Sequence, residues 1–309
     1  MRHYLSMAVV LLSFMASDAY AQLREFQSLT PARSTGINGL GRSFAAGGNA
    51  LFLNPAAIAI APQYVLGTTY SVAKSPDSAG KDRFSHLLGA EWTDSTPNVL
   101  NMAMGMGYNL EISPGKKRNS VHAALAYVFR KPTFTLGIGL GGHWAEDFMP
   151  GGGKKANLLS ADAGLSFSFR NQLMIGFTGY NLVNNHFDDT PKGFGGGISY
   201  WGGAFVIGFD VSSMFDTETR DEIEKDALVS YIAGVQYMVL TDLYLRAGFR
   251  YDDGERTANH KKSAMSLSAG TTIIIAQRLG LEVGYKQNID APEDLMVGFT
   301  IEVYSPFGN

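Results

Sequence analysis

The chain has 309 residues, a formal net charge of −3, 36 glycines and no cysteine. Charged residues make up only 17% of it, whereas an average soluble protein has roughly 25%, and the mean hydropathy of −0.02 excludes a bundle of many membrane-spanning helices. The missing cysteine excludes thiolate metal sites, disulfides and a lipid-modified N-terminal cysteine. Because no basic stripe is present, nucleic acid is excluded as a partner.

Residues 1–21 have the pattern of a secretory signal peptide. A short basic start precedes an apolar stretch from Tyr4 to Met15, and an A-x-A cleavage site stands directly before Gln22. An N-terminal anchor helix is the alternative interpretation, but the apolar stretch is shorter than the roughly 20 residues that span a bilayer. We therefore expect an exported mature chain that begins near Gln22.

Residues 22–63 form the next segment, and they show no alternation. They are rich in glycine and small side chains, and they contain Gly39, Gly41 and a turn at Asn54-Pro55-Ala56. A flexible leader is one interpretation of such a segment. Its apolar residues between positions 51 and 60 favour a compact segment that packs against the rest of the fold.

From residue 64 onward the chain divides into segments whose side chains alternate with a period of two. In residues 279–286, for example, leucine and valine alternate with glycine and glutamate. One apolar face opposite a face of glycine, small and charged residues is typical of a transmembrane β-strand. We predict fourteen strands, at residues 64–73, 84–92, 99–111, 119–130, 133–144, 157–169, 172–183, 193–201, 203–213, 227–239, 241–251, 263–276, 279–288 and 295–304.

The connections between these strands alternate in length. After even-numbered strands they are mostly tight turns, whereas after odd-numbered strands they are long and polar, at residues 74–83, 112–118, 145–156, 184–192, 214–226 and 252–262. A soluble β-sandwich also alternates, but it gives no reason for this asymmetry, and its strands are usually about five or six residues long. The pattern predicts an all-β fold, a transmembrane antiparallel up-and-down barrel over residues 64–309, in the outer membrane of a Gram-negative bacterium. The tight turns and both termini are then periplasmic.

A barrel of fourteen strands has an interior in which residues 22–63 could lie. Fourteen strands enclose a lumen that is too wide for the wall side chains alone to fill. We therefore expect residues 22–63 to form a small plug inside the barrel.

Two motifs resemble those of a known family. Gly39-x-Gly41-Arg42-Ser43-x-Ala45, followed by Leu53-Asn54-Pro55-Ala56-Ala57-Ile58-Ala59, resembles the N-terminal signature of the FadL-like outer-membrane proteins. That superfamily comprises long-chain fatty-acid and aromatic-hydrocarbon transporters and the PorV/PorQ proteins of secretion. The segment Gly179-Tyr180-Asn181-Leu182-Val183-Asn184 is similar to the end of a mid-barrel strand in the PorV-like branch, but the paired acids usual in the N-terminal signature are missing here.

The resemblance implies a plugged barrel with Asn54, Pro55 and Ala56 in the plug. It implies passive transport of hydrophobic small molecules, fatty-acid-like or aromatic, with lateral release through an interruption in one wall strand. The alternative is a PorV/PorQ-like component of a protein secretion or surface-attachment system. A plain structural barrel is the third possibility.

Five charged residues share the predicted inward face of the last strands: Arg246, Arg250, Glu282, Lys286 and Glu302. They can hold the carboxylate of a ligand, because arginine offers two parallel N–H groups to a carboxylate. They can equally form a structural ion-pair network that contacts and supports the plug. The second interpretation is the one we favour.

No pattern of catalytic or metal-binding residues stands out. The histidines are scattered, and neither a nucleophile elbow nor a phosphate-binding loop is present. The acidic run at 216–226 lacks the spacing of a calcium loop. We therefore predict neither an enzyme nor a cofactor or metal. The expected partners are outer-membrane lipid and lipopolysaccharide and a hydrophobic small molecule, with secretion-system proteins in the alternative case.

Overall fold

The computed structural model describes residues 32–44, 48–60, 63–76, 81–96, 100–114, 116–148, 154–184, 192–215, 227–257 and 260–305. The predicted signal peptide, the first ten residues of the predicted plug and the acidic run at 216–226 lie outside these residues. None of the described helices is long and apolar enough to cross a membrane.

The predicted barrel is confirmed. Fourteen antiparallel strands pair in chain order, and the first strand also pairs with the last, which closes the sheet. The strands are β1 Tyr64–Pro76, β2 Asp82–Asp94, β3 Met102–Ser113, β4 Lys116–Arg130, β5 Phe134–Phe148, β6 Lys154–Phe169, β7 Leu173–Asn184, β8 Lys192–Gly202, β9 Phe205–Phe215, β10 Ala227–Leu240, β11 Leu243–Thr257, β12 His260–Ile275, β13 Leu279–Asn288 and β14 Leu295–Ser305.

Two of the predicted long loops are wrong. In place of loops at 112–118 and 252–262, the structure leaves only residues 114–115 and 258–259 between paired strands. The hairpins continue here because backbone pairing needs no apolar face. Alternation of apolar side chains ends where the strand leaves the lipid, so the sequence pattern stops before the strand does.

The two faces of the wall differ as alternation predicts. Large apolar side chains point outward and are exposed, as at Leu245, Phe249 and Phe299. The inward residues between them are mostly small, polar or charged, and most are buried; Val128 and Ile232 are buried apolar exceptions. An outward apolar band of this kind suits a lipid environment.

The described residues 32–44 and 48–60, which together we call the inner segment, lie against the inner face of the wall. They form α1 Ala32–Gly36, α2 Asn49–Leu53 and a 3₁₀ helix, Pro55–Ala59. Helix α1 packs against β11–β14 and β1, and the 3₁₀ helix packs against β3–β6. That this segment closes the lumen as a plug stays a prediction.

Inward-facing glycines bring the wall into backbone contact with the inner segment. A Cβ atom added at Gly139 would lie 2.4 Å from the nitrogen of Ala56, and one at Gly284 would lie 2.1 Å from the carbonyl oxygen of Ala32. Every strand from β5 to β14 has a glycine whose added Cβ would meet the inner segment, although on β8, β9 and β10 it would meet side chains rather than backbone. We call the set the glycine belt: Gly137, Gly139, Gly164, Gly176, Gly195, Gly208, Gly234, Gly248, Gly270, Gly284 and Gly298. Eleven of the 36 glycines thus have a structural reason, since a methyl group at these positions would force the inner segment or its side chains to shift.

Candidate functional site

Two groups of polar contacts hold the inner segment against the wall, and we call them seats. The first seat is charged. Arg33 of α1 donates from Nε and Nη2 to Oε1 of Glu282, at 2.9 and 2.6 Å, and Nη2 lies 3.4 Å from Oε2 of Glu302. The Tyr304 hydroxyl donates to Glu302 and lies 3.3 Å from Arg33 Nη2. Both glutamate side chains are fully buried. Burial by itself lowers the pKa of Arg33, but the charges of Glu282 and Glu302 outweigh it and raise that pKa well above its usual value.

A second arginine completes this charged seat from the wall. Arg246 donates to Gln236 Oε1 at 2.7 Å and to Thr272 Oγ1 at 2.5 Å, and its Nη2 lies 3.6 Å from Glu282 Oε1. Thr272 in turn donates to the same glutamate oxygen at 3.0 Å. The charged seat therefore consists of Arg33, Arg246, Glu282 and Glu302, with two arginines facing two buried carboxylates.

Of the other two predicted residues, Arg250 pairs with residues outside the charged seat. Arg250 donates to the Asp252 carboxylate at 2.7 Å and to Ser230 Oγ at 3.0 Å. Lys286 is buried on the inward face of β13. Of the five predicted charges the structure thus brings three together, and a role in ligand binding stays a prediction for all five.

Sequence reasoning missed two partners of this region. Arg33 lies in a segment without periodicity, so nothing in the sequence assigned it a direction. Glu91 is buried on β2, and its Oε1 has no hydrogen-bond partner among the described residues. Gly67 of β1 pairs with Glu91 on one side and with Glu302 on the other, so strand register could have placed these two acids near each other.

The predicted glycine motif forms a tight bend over β9. Gly39 has φ +81° and Gly41 has φ +147°, values that favour glycine. The backbone N–H groups of Gly41 and Arg42 both donate to Oδ2 of Asp210 at 2.9 Å, and Arg42 Nη1 lies 3.4 Å from the same oxygen. Asp210 is fully buried, and alternation already placed it on the inward face.

The second seat, at the Asn-Pro turn, is neutral. Asn54 Nδ2 donates to the carbonyl oxygen of Arg42 at 2.8 Å, to that of Leu165 at 3.1 Å and to Ser166 Oγ at 3.0 Å. Its Oδ1 accepts from the nitrogen of Ala56 at 3.0 Å and so caps the 3₁₀ helix, which begins at Pro55. One side chain thereby joins the bend, the turn and the wall.

Strand β7 supplies the rest of the neutral seat. Thr178 Oγ1 and the Tyr180 hydroxyl donate to the carbonyl oxygen of Leu53, at 3.0 and 2.7 Å. We therefore define the neutral seat by Asn54, Ser166, Thr178 and Tyr180. The contacts that these four residues make between the inner segment and strands β6 and β7 are hydrogen bonds between uncharged groups.

The pairing of β6 with β7 is interrupted beside this seat. Ala161 pairs with Val183 and Ala163 pairs with Gly179, so three residues of β7 lie opposite one residue of β6. Asn181, in the middle of these three, has φ +52° and donates its backbone N–H to Asp162 Oδ1 at 2.7 Å. This wall bulge, residues 180–182, falls in the second motif noted in the sequence.

Among the described residues no three His, Asp or Glu side chains are placed to hold a metal ion.

Comparisons with known proteins identify the fold. No family model and no curated protein matches the sequence. Solved structures do match: the Pseudomonas putida toluene transporter TodX, with a TM-score of 0.65 and 12% identity, covers 92% of this chain and 100% of its own. The CymD monoaromatic hydrocarbon channel gives 0.66 and 14%, covering 92% and 99%, and a Pseudomonas aeruginosa FadL homologue gives 0.61 and 12%, covering 89% and 97%. The chain thus has the fold of the FadL-like outer-membrane barrels, as its N-terminal motif predicts.

Proposed function

We propose that the protein is an outer-membrane channel for hydrophobic small molecules, which works passively and without enzymatic chemistry or cofactor. The observation that carries the proposal is the wall bulge at residues 180–182, next to the neutral seat of an inner segment that follows the wall. The names of the structural neighbours, a toluene transporter and a monoaromatic hydrocarbon channel, support this class of solute.

The bulge gives the proposed route its exit. An apolar solute that enters from the outer side leaves through the wall where β6 and β7 lose their regular pairing, and it passes directly into the lipid. In this orientation the tight turns and both termini are periplasmic, and lipid and lipopolysaccharide surround the outward face. The inner segment then acts as the plug, and residues 1–21 act as the signal peptide.

A deletion tests the exit. Removing Asn181 and Leu182 leaves Tyr180 opposite Asp162 and Val183 opposite Ala161, which restores the regular register. We expect cells of a Gram-negative host that express the unaltered chain to take up radiolabelled toluene faster than cells without it, and the deletion variant to lose this gain. Uptake of radiolabelled arabinose is the control for an open pore and should not change.

Three results would contradict the proposal. Equal gains for arabinose and toluene would indicate a general pore, and no gain for either would leave no transport function. Undiminished toluene uptake by a correctly folded deletion variant would rule out the bulge as the exit. A barrel without uptake that copurifies with another protein at fixed stoichiometry would support the PorV/PorQ-like alternative instead.

A further inference from the structure

Two cations stand on neighbouring tight turns at one rim of the barrel. Lys131 belongs to the turn between β4 and β5, and Arg170 belongs to the turn between β6 and β7. The two turns are in contact, because the Arg170 backbone N–H donates to the carbonyl oxygen of Thr133 at 2.8 Å. Both cations are exposed, and neither has an ion-pair partner among the described residues. Their positive charge is therefore available to a ligand.

Aromatic rings fix where the charged ends of these two side chains lie. The ammonium nitrogen of Lys131 lies 5.1 Å from the ring centre of Phe129, and the guanidinium carbon of Arg170 lies 5.3 Å from that of Phe169. A cation at this distance is attracted to the face of the ring. Phe129 and Phe169 are exposed residues at the ends of β4 and β6. Both cations are therefore held at the outward, lipid-facing side of the wall.

A third ring joins the other two into one apolar surface. The ring centre of Phe134, on β5, is 5.8 Å from that of Phe129, and Phe134 is the direct register partner of Phe169 on β6. Strands β4 and β6 flank β5 and so lie roughly 10 Å apart, which brings both cations beside the same lipid molecule. We call this group the rim cluster: Phe129, Lys131, Phe134, Phe169 and Arg170.

The charges of the rim cluster select for a phosphate and against an ammonium group. Six residues form the two turns, and none of them is acidic: Lys131, Pro132, Thr133, Arg170, Asn171 and Gln172. Arg130, a third cation nearby, is used on the inside, where it donates to the carbonyl oxygen of Ala59 at 3.1 Å. Lysine and arginine side chains offer hydrogen-bond donors only, which suits phosphate oxygens. An ammonium headgroup finds no counter-charge in these turns.

The place of the rim cluster in the wall favours a lipid over a soluble phosphate. Aromatic residues at the strand ends of a membrane barrel lie at the interface, where lipid phosphates and acyl chains meet. Lysine and arginine side chains extend along such apolar surfaces while their charged ends stay in the polar layer. A phospholipid therefore matches both the rings and the cations of the cluster, whereas a soluble phosphate would meet only the cations.

We propose that the rim cluster is a binding site for an anionic glycerophospholipid. The lipid phosphate accepts hydrogen bonds from Lys131 and Arg170, and the acyl chains lie along the rings of Phe129, Phe134 and Phe169. A lipid with an ammonium headgroup binds the same surface with lower affinity. The site needs only a lipid-facing wall, so it does not depend on transport by the barrel. In the orientation proposed above, this rim is periplasmic.

Native mass spectrometry of the purified full-length protein in detergent tests the site. The probes are phosphatidylglycerol and phosphatidylethanolamine with identical acyl chains, titrated separately, and the readout is the fraction of protein that carries one lipid. We expect the unaltered protein to bind phosphatidylglycerol at least about fivefold more tightly, the preference expected from one cation beside an anionic lipid. Excess glycerol 1-phosphate, which has the phosphate without acyl chains, should not displace the lipid.

Charge variants locate the binding on the rim. Lys131→Gln combined with Arg170→Gln removes both cations, and we expect the preference for phosphatidylglycerol to fall to within about twofold. Arg278→Gln is the matched control and should keep the preference, because Arg278 is an exposed cation on the same rim that lies over no aromatic ring among the described residues. If the double variant does not fold, as judged by heat-dependent migration in gel electrophoresis, the two single variants take its place. Each should then lose part of the preference, whereas Lys131→Arg should keep it.

Three results would overturn the site. If the variants without Lys131 and Arg170 keep the full preference, the lipid binds elsewhere. An equal loss in Arg278→Gln would mean that the charge of the whole rim attracts the lipid. Displacement by glycerol 1-phosphate would show a site for soluble phosphates in which the rings have no part. None of these measurements involves toluene uptake, so failure of the channel proposal and failure of this site are told apart.

Discussion

The inner segment is held by ion pairs at Arg33 and at Arg42, and by neutral hydrogen bonds at the Asn54 turn. At the charged seat, Arg33 lies between two fully buried glutamates of β13 and β14. At the neutral seat, Asn54 and the hydroxyl groups of β7 exchange hydrogen bonds with backbone carbonyl oxygens. Both ends touch the wall through glycines, so the difference between them lies in the polar contacts.

This difference indicates which end can move. If Arg33 leaves the charged seat, the buried carboxylates of Glu282 and Glu302 lose their main counter-charge. Leaving a buried charge without its partner is among the most destabilising changes in a folded protein. Neutral hydrogen bonds have a much smaller net free energy, and other partners can replace them. We therefore expect movement of the inner segment at the neutral seat, which is also the end beside the wall bulge.

The largest effect should come from breaking the charged seat. Arg33→Met leaves Glu282 and Glu302 close together, with Arg246 as the one remaining counter-charge that the described contacts place beside Glu282, and we expect a loss of about 3–5 kcal/mol in the free energy of unfolding. The measurement is urea unfolding of the protein in lipid vesicles, followed by tryptophan fluorescence. Arg250→Met is the matched control, because Arg250 pairs with the partly exposed Asp252 and should cost less. Equal losses in the two variants would mean that the charged seat stabilises the fold no more than the Arg250–Asp252 pair does.

The second largest effect on stability should come from a substitution in the glycine belt. Gly139→Ala places a methyl group against Ala56 and should cost about 1–3 kcal/mol of stability, because the segment must shift. The same change at Gly141 meets no atom closer than 3.5 Å and is the control on the same strand. Hydrogen exchange of residues 51–58 should speed up in the first variant and stay unchanged in the second. The reverse order would show that the segment does not contact β5 as described.

The smallest effect should come from the neutral seat. Tyr180→Phe removes one of the two hydrogen bonds to the Leu53 carbonyl oxygen, and we expect a cost of about 0.5–1.5 kcal/mol. Toluene uptake should increase, since the turn is released more easily. Tyr304→Phe, the same change at the charged seat, should not increase uptake. If both variants transport alike, the two seats do not differ in the way proposed.

Most strands of the wall could be predicted from the sequence, but few contacts of the inner segment could. Outward Leu and Phe alternate with inward small or charged residues because lipid selects one face. The sequence therefore predicts β13 at residues 279–288, and the structure has the strand there. The inner segment has no such period. The direction of Arg33 and the Asp210 contact with Gly41 therefore depend on tertiary packing alone. The motif at 179–184 resembles the end of a mid-barrel strand, but nothing in its residues indicates that β6 and β7 lose register there.

The glycine belt also bears on how the molecule is assembled. The inner segment precedes β1 in the chain, and the barrel closes only when β1 meets β14. On every strand from β5 to β14 an added Cβ would lie 3.1 Å or less from the inner segment, which leaves little clearance for inserting the segment after the barrel has closed. We therefore expect the inner segment to be in place before β1 pairs with β14, with the sheet forming around it. Folding of the inner segment and closure of the barrel are then coupled.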